Sequence, residues 1–191
     1  MKALATRKFT GIFMLIGGVC GFLASFILTI DKIKVLKDGN YTPSCNISET
    51  LNCKTVMLSK QAEVFGFPNS LIGIGAFAIF IAVAIAILGE VRFPKWFWQI
   101  ALVGAILATV FSHWLAIQTT FEIGALCPYC MVAWFGTFVI LSGVIQELVR
   151  FKEDKAVALD ERETITKING FVPIFHLVWI GMVIGAAFTG V

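Results

Sequence analysis

Two cysteines three positions apart, Cys127 and Cys130, stand in the stretch FEIGALCPYCMVAW at the mouth of a long uncharged run. Two more, Cys45 and Cys53, lie eight positions apart in YTPSCNISETLNCK. A thiolate attacks a disulfide sulfur through a mixed disulfide, so two such pairs held together can hand electrons from one to the other. Pro128 suits the first turn of a helix, because its missing N–H would be unpaired there and its φ is already helical. Cys127 then sits at the helix N-cap, where unpaired amides and the macrodipole favour a thiolate. Cys130 follows one turn later on the same face, within disulfide reach. Asn46, Ser48 and Asn52 make the segment between Cys45 and Cys53 flexible enough to close a bridge of its own. Zinc binding by four thiols and two purely structural bridges are the competing readings. The first lacks a second C-x-x-C knuckle, and the second would staple a loop too short to constrain much.

These sulfurs must be positioned by membrane helices. The chain has 191 residues, 58% hydrophobic and 14% charged, with a mean hydropathy of +0.88. That balance excludes a water-soluble domain and fits an integral membrane protein. Apolar runs from Phe9 to Ile30, Val64 to Gly89, Trp96 to Phe121, Ile123 to Gln146 and Ile168 to Val191 each exceed the roughly 20 residues needed to cross a hydrocarbon core. They predict an all-α fold of one domain, residues 1–191, with spanning helices at 9–30, 70–89, 96–120, 125–147 and 169–190 and a long outer loop at 31–69. The second helix is trimmed because Gly66, Pro68 and Asn69 are poor helix-interior residues. The first run has 22 uncharged residues, too many for a signal-peptide core, and no small-x-small site precedes Asp31.

Orientation follows from Lys and Arg. With the N-terminus cytoplasmic, ten of these residues fall on inner segments and five, Lys32, Lys34, Lys37, Lys54 and Lys60, on the outer loop. All four paired cysteines then share the extracytoplasmic face of the plasma (inner) membrane, where disulfides persist. The net charge of +3 is a consequence of the inner loops and gives no sign of nucleic-acid binding. Because the C-x-x-C lies at the edge of an apolar bundle, the natural electron acceptor is a lipid-soluble two-electron carrier, a quinone.

Four further readings concern structure more than chemistry. The mixed-charge run from Glu147 to Asn169 reads as a solvated inner connector. Cys53 to Phe67 alternates apolar and charged residues as a short interfacial helix would, with Lys54 and Lys60 facing headgroups. Gly17 with Gly21, and Gly181 with Gly185, have the spacing of close helix packing. Cys20 reads as an inert apolar residue. His113, in VFSHWLA, is an intramembrane ionisable group at the depth of the C-x-x-C; it is a proton relay or quinone contact, or a packed neutral histidine. His176 reads as structural, and the NIS sequon at Asn46 as chance.

The combination of Cys45 and Cys53, CKTVMLS ending in Ser59, FGFPNSLIG from Phe65 to Gly73, and CPYC at the start of the fourth helix resembles the vitamin K epoxide reductase family in its bacterial branch. The likeness covers Phe9 to Gln146. It implies a four-helix bundle around a quinone, ubiquinone or menaquinone, or vitamin K itself, capped by the outer loop. It also implies roles: Cys45 meets a thioredoxin-fold partner, Cys53 exchanges with Cys127, Cys130 works on the quinone, and Ser59 and Asn69 occupy polar positions of the site. Asn69 also suits plain turn chemistry after Pro68. Trp134 stands where animal members carry a tyrosine, able either to donate a hydrogen bond to the quinone or to pack. Bacterial relatives often continue into a fused thioredoxin-like domain; this sequence stops at Val191, so the expected partner is a separate protein. The implied activity is thiol:quinone oxidation that drives disulfide formation. Reduction of vitamin K or its epoxide, or a non-enzymatic thiol scaffold, are the alternatives.

Overall fold

A computed structural model of the chain describes residues 2–153, 178–183, 185, 186 and 188. Its helices are α1 (Lys2–Lys37), α2 (Cys53–Met57), α3 (Asn69–Leu88), α4 (Lys95–Ile117) and α5 (Pro128–Glu153), with a 3₁₀ turn at Lys60–Glu63 and a π-helical stretch at Gln118–Ile123. Among the described residues the only β pairing is an isolated parallel bridge between Leu51 and Leu126. Four helical segments are long and apolar enough to cross a membrane, Arg7–Lys37, Asn69–Leu88, Lys95–Ile123 and Pro128–Arg150.

Prolines punctuate the starts. α3 begins directly after Pro68, α4 directly after Pro94, and Pro128 is the first residue of α5. In each case the ring presets φ where no intrahelical N–H bond is lost. The last span, expected at 169–190, falls largely outside the described residues. Within them, 178–183 are helical, and Trp179, Ile180 and Val183 pack against Ala116, Leu126, Trp134 and Phe138.

α1 is the central element, packed along α3 on one side and α5 on the other, while α4 packs on α5. α3 and α4 barely touch as helices. Close approach to α1 depends on glycine: a Cβ at Gly136 would meet the Gly17 carbonyl, and one at Gly21 would strike the Phe77 ring. The expected packing role of Gly17 and Gly21 is therefore seen. Gly181 and Gly185 differ, since a Cβ there meets nothing among the described residues. Beneath the sulfurs, Met14, Phe77, Ile87, Trp98 and Val144 fill the core.

Two boundaries depart from expectation. α1 continues through Asp31 and Lys32 to Lys37, so the outer loop begins seven residues later than expected, at residue 38 rather than 31. The charges that suggested an end lie inside: Asp31 Oδ1 accepts from the Tyr41 hydroxyl at 2.8 Å while its Oδ2 is buried without a hydrogen bond among the described residues, and Lys32 donates to the Met57 carbonyl at 2.8 Å and pairs with Glu63 at 2.7 Å. At the other end, Glu147 is not part of a solvated connector. It is 4% exposed on α5, which runs on to Glu153, and it is paired with Arg7 and Arg150. Arg150 also donates to Thr10 at 2.7 Å, and Thr10 to Gln146 at 2.6 Å.

Candidate functional site

Cys45 and Cys53 form a disulfide with a Cα–Cα distance of 5.7 Å, and Cys127 and Cys130 are free thiols. All four lie at the same end of the bundle. Cys45, Cys53 and Cys127 share one buried cluster with Val35, Val56 and Met57, and Cys130 packs on its edge.

The contact between loop and helix is made by main chain. After the π-helical stretch, Gly124 adopts φ +68°, a left-handed turn that glycine takes without steric cost, and the chain emerges extended through Leu126. Leu126 N–H donates to the Thr50 carbonyl at 2.7 Å, and Asn52 N–H to the Leu126 carbonyl at 2.9 Å. These two bonds fix Cys53 directly after one paired strand segment and Cys127 directly after the other. Two asparagines then cap α2 at Cys53. Asn52 Oδ1 accepts from Thr55 N–H at 3.0 Å, and Asn46 Oδ1 from Lys54 N–H at 3.0 Å. Both are N-cap-type bonds that satisfy amides lacking a helical partner. Asn46, beside Cys45, is thus a structural residue of the site. Replacing Asn52 with alanine is expected to weaken α2 by about 1 kcal/mol, seen as faster amide exchange at Thr55 and Val56.

The C-x-x-C has the arrangement its proline predicts. With Pro128 first in α5, Cys127 precedes the helix and its Sγ accepts the Cys130 N–H at 3.2 Å. The sulfur itself occupies the capping position. Tyr129, inside the motif, reaches the other pair: its hydroxyl lies 3.0 Å from Ser44 Oγ, next to Cys45. Tyr41, which packs on the same sulfur cluster, gives its proton to Asp31, and that hydrogen bond raises the phenol above its ordinary range.

Cys130, not Cys127, faces a cavity beneath the loop. Its walls are largely apolar, with Met57 from the loop, Leu115 and Ile123 from the α4 side and Trp134 from α5. Ser59 and Asn69 line it too, but both have structural employment. The Ser59 hydroxyl donates to the Val56 carbonyl at 2.7 Å. Asn69 donates to the Gln61 carbonyl at 2.7 Å and accepts from Val64 N–H at 3.3 Å, holding the turn that precedes α3. Trp134 is 5% exposed and packs with Phe138 and Leu126. His113 is placed elsewhere. Its Nδ1 bonds the Thr109 carbonyl at 2.7 Å and its ring lies 5.3 Å from Phe138 and 5.2 Å from Trp179, outside the cavity wall.

The interfacial helix expected over Cys53 to Phe67 is instead two short pieces, α2 and the 3₁₀ turn, because Leu58 and Ser59 break the run. Lys54, expected at headgroups, donates to the Gly39 carbonyl. Lys32 and Gln61 on the cavity wall, and Gln118 beside it, are among the residues that escaped the sequence reading. Gln61 Nε2 donates to Gln118 Oε1 at 3.2 Å, fastening the loop to the end of α4. Lys32 lines the cavity. Its signal was available, since it follows Leu28 by four positions and precedes Val35 by three, the spacing of one helix face.

Residues 12–145 match the family model described as the vitamin K epoxide reductase family. No curated protein matches the chain.

Proposed function

The chain belongs to the vitamin K epoxide reductase family, a multi-pass membrane protein of oxidoreductase type, and from that premise we propose that it is a thiol:quinone oxidoreductase. It reoxidises an extracytoplasmic thioredoxin-fold protein and so drives disulfide formation, with a membrane quinone as the electron-accepting substrate. The observation that carries this reading is the backbone pairing of Leu51 with Leu126, which holds the Cys45–Cys53 bridge in the same buried cluster as Cys127 while Cys130 faces the cavity.

Electrons enter when a partner thiolate attacks Cys45 and breaks its bond to Cys53. A second partner thiol closes the partner's own disulfide and leaves the loop pair reduced. Cys53 then attacks Cys127 in the oxidised C-x-x-C, Cys45 completes the loop bridge, and the C-x-x-C becomes a dithiol. That is the redox state seen here, with the loop pair bridged and the second pair free. The Cys127–Cys130 pair closes again as it passes two electrons and two protons to the quinone. Apolar walls around Cys130 suit a quinoid ring.

Intact cells reduced and then treated with a membrane-impermeant maleimide should label Cys45, Cys53, Cys127 and Cys130 from outside. Protection of either pair until the membrane is breached would end the proposal. Purified protein given a reduced thioredoxin-fold partner should reduce a quinone. Turnover with the epoxide of vitamin K but not with a quinone would assign the alternative substrate instead.

A further inference from the structure

The cavity that Cys130 faces is lined by a single charged side chain among the described residues, Lys32 of α1. A lysine that is 6% exposed and set against apolar walls needs partners. It has two: the Met57 carbonyl at 2.8 Å and the Glu63 carboxylate at 2.7 Å. An ammonium has three N–H donors, so one is left beyond these two bonds. Two of the three neighbouring hydroxyls offer less, while Ser70 accepts from Thr29 at 2.8 Å but carries no charge. Ser59 spends its proton on the Val56 carbonyl, and Thr119 on the Ala116 carbonyl at 3.0 Å.

We propose that Lys32 is a substrate-binding and catalytic residue for quinone reduction, its ammonium donating a hydrogen bond to a quinone carbonyl oxygen in the cavity beside Cys130. This rests on the thiol:quinone reading above. In the step, the S–H bonds of Cys127 and Cys130 break and an S–S bond forms between them. Two electrons and two protons reach the ring, whose two C=O groups become C–OH. Negative charge grows on the carbonyl oxygen as electrons arrive, and a fixed cation in an apolar site stabilises that charge far better than water would. Lys32 keeps its proton throughout. The Met57 carbonyl and Glu63 aim it, so the donor needs no reorganisation as charge develops.

The competing role is purely structural, a latch holding α2 and the 3₁₀ turn onto α1. Two measurements separate the roles. In the Cys130→Ala background, which does not turn over, infrared spectra of bound isotope-labelled ubiquinone should show one carbonyl stretch lowered by hydrogen bonding. Lys32→Met should abolish that lowering, and Lys32→Arg, which keeps the cation, should retain it. In the otherwise native protein reduced with dithiothreitol, Lys32→Met should slow single-turnover quinone reduction by about 10²- to 10³-fold, the cost of removing one charge-stabilising donor. Disulfide exchange between Cys53 and Cys127, followed by alkylation mass shifts, should stay within about threefold of the parent, since that step does not need the cation. An unchanged carbonyl stretch, or equal slowing of exchange and quinone reduction, would overturn the proposal in favour of the latch. If Lys32→Met fails to fold, Lys32→Gln, which keeps a neutral donor, serves in its place with the same expected losses at reduced size. Failure of the parent itself to bind or reduce either ubiquinone or menaquinone would instead refute the thiol:quinone reading on which this assignment stands.

Discussion

Cys130→Ala is expected to cut quinone reduction on the order of 10³-fold or more, the scale of losing a reacting group rather than a supporting one. The sulfur that faces the cavity is removed, and Cys127, buried and off the cavity wall, has no route to the ring. The same variant should form a mixed disulfide between Cys53 and Cys127 in exchange with the loop bridge: the lone Cys127 thiolate attacks Cys53 and releases Cys45, and without Cys130 the bond cannot move on to a C-x-x-C bridge. Cys127→Ala should behave differently: the loop bridge persists and no mixed species with Cys53 forms. Cys20→Ala should match the parent in both assays. Quinone absorbance in a single turnover, read beside alkylation shifts on a non-reducing gel, distinguishes these cases. Quinone reduction retained by Cys130→Ala would show that another group delivers the electrons and would sink the proposed path.

Glu147→Ala should destabilise the protein by about 3 to 5 kcal/mol, the range for breaking a buried ion pair from one side. Glu147 is 4% exposed and carries Arg7 on one oxygen and Arg150 on the other. Removing it leaves two guanidinium groups, 15% and 21% exposed, facing one another without their counter-charge. Arg7 also bonds the Glu90 and Val91 carbonyls in the turn between α3 and α4, so the loss propagates to three spans. Denaturant titration in detergent should show the drop, while exchange at the distant cysteines is unaffected in what remains folded. A change below about 1 kcal/mol would mean that the pair behaves as an exposed one.

The geometry of the C-x-x-C was legible in the sequence because it is local. A proline one residue after Cys127 is enough to start a helix there, and the helix start puts Cys130 one turn on and its amide on the Cys127 sulfur. The four apolar spans were legible for a similar reason, since each is a continuous run. What stayed hidden depends on partners far along the chain. Asp31 and Lys32 looked like the end of a span because charge normally is; their partners, Tyr41 for the first and Met57 with Glu63 for the second, cannot be read from α1 alone. Glu147 stood first in a charged run and nothing local distinguished it from the other charged residues of that run. Ser59 and Asn69 both line the cavity, yet their hydrogen bonds go to backbone within the loop, a use that only the folded turn reveals. Their contribution to quinone chemistry remains part of the proposal.

The junction of Leu51 with Leu126 has an implication for how such a sequence can vary. Amide hydrogens and carbonyl oxygens are common to nearly every amino acid, so an alignment made by them is indifferent to which side chains ride on it. It is sensitive to how many residues intervene. Along extended backbone each added position turns the following side chains to the opposite face, so one insertion between Leu51 and Cys53 would swing the sulfur away from its neighbour while ordinary replacements at Leu51 would not. The spacing of this segment is therefore under tighter constraint than its composition.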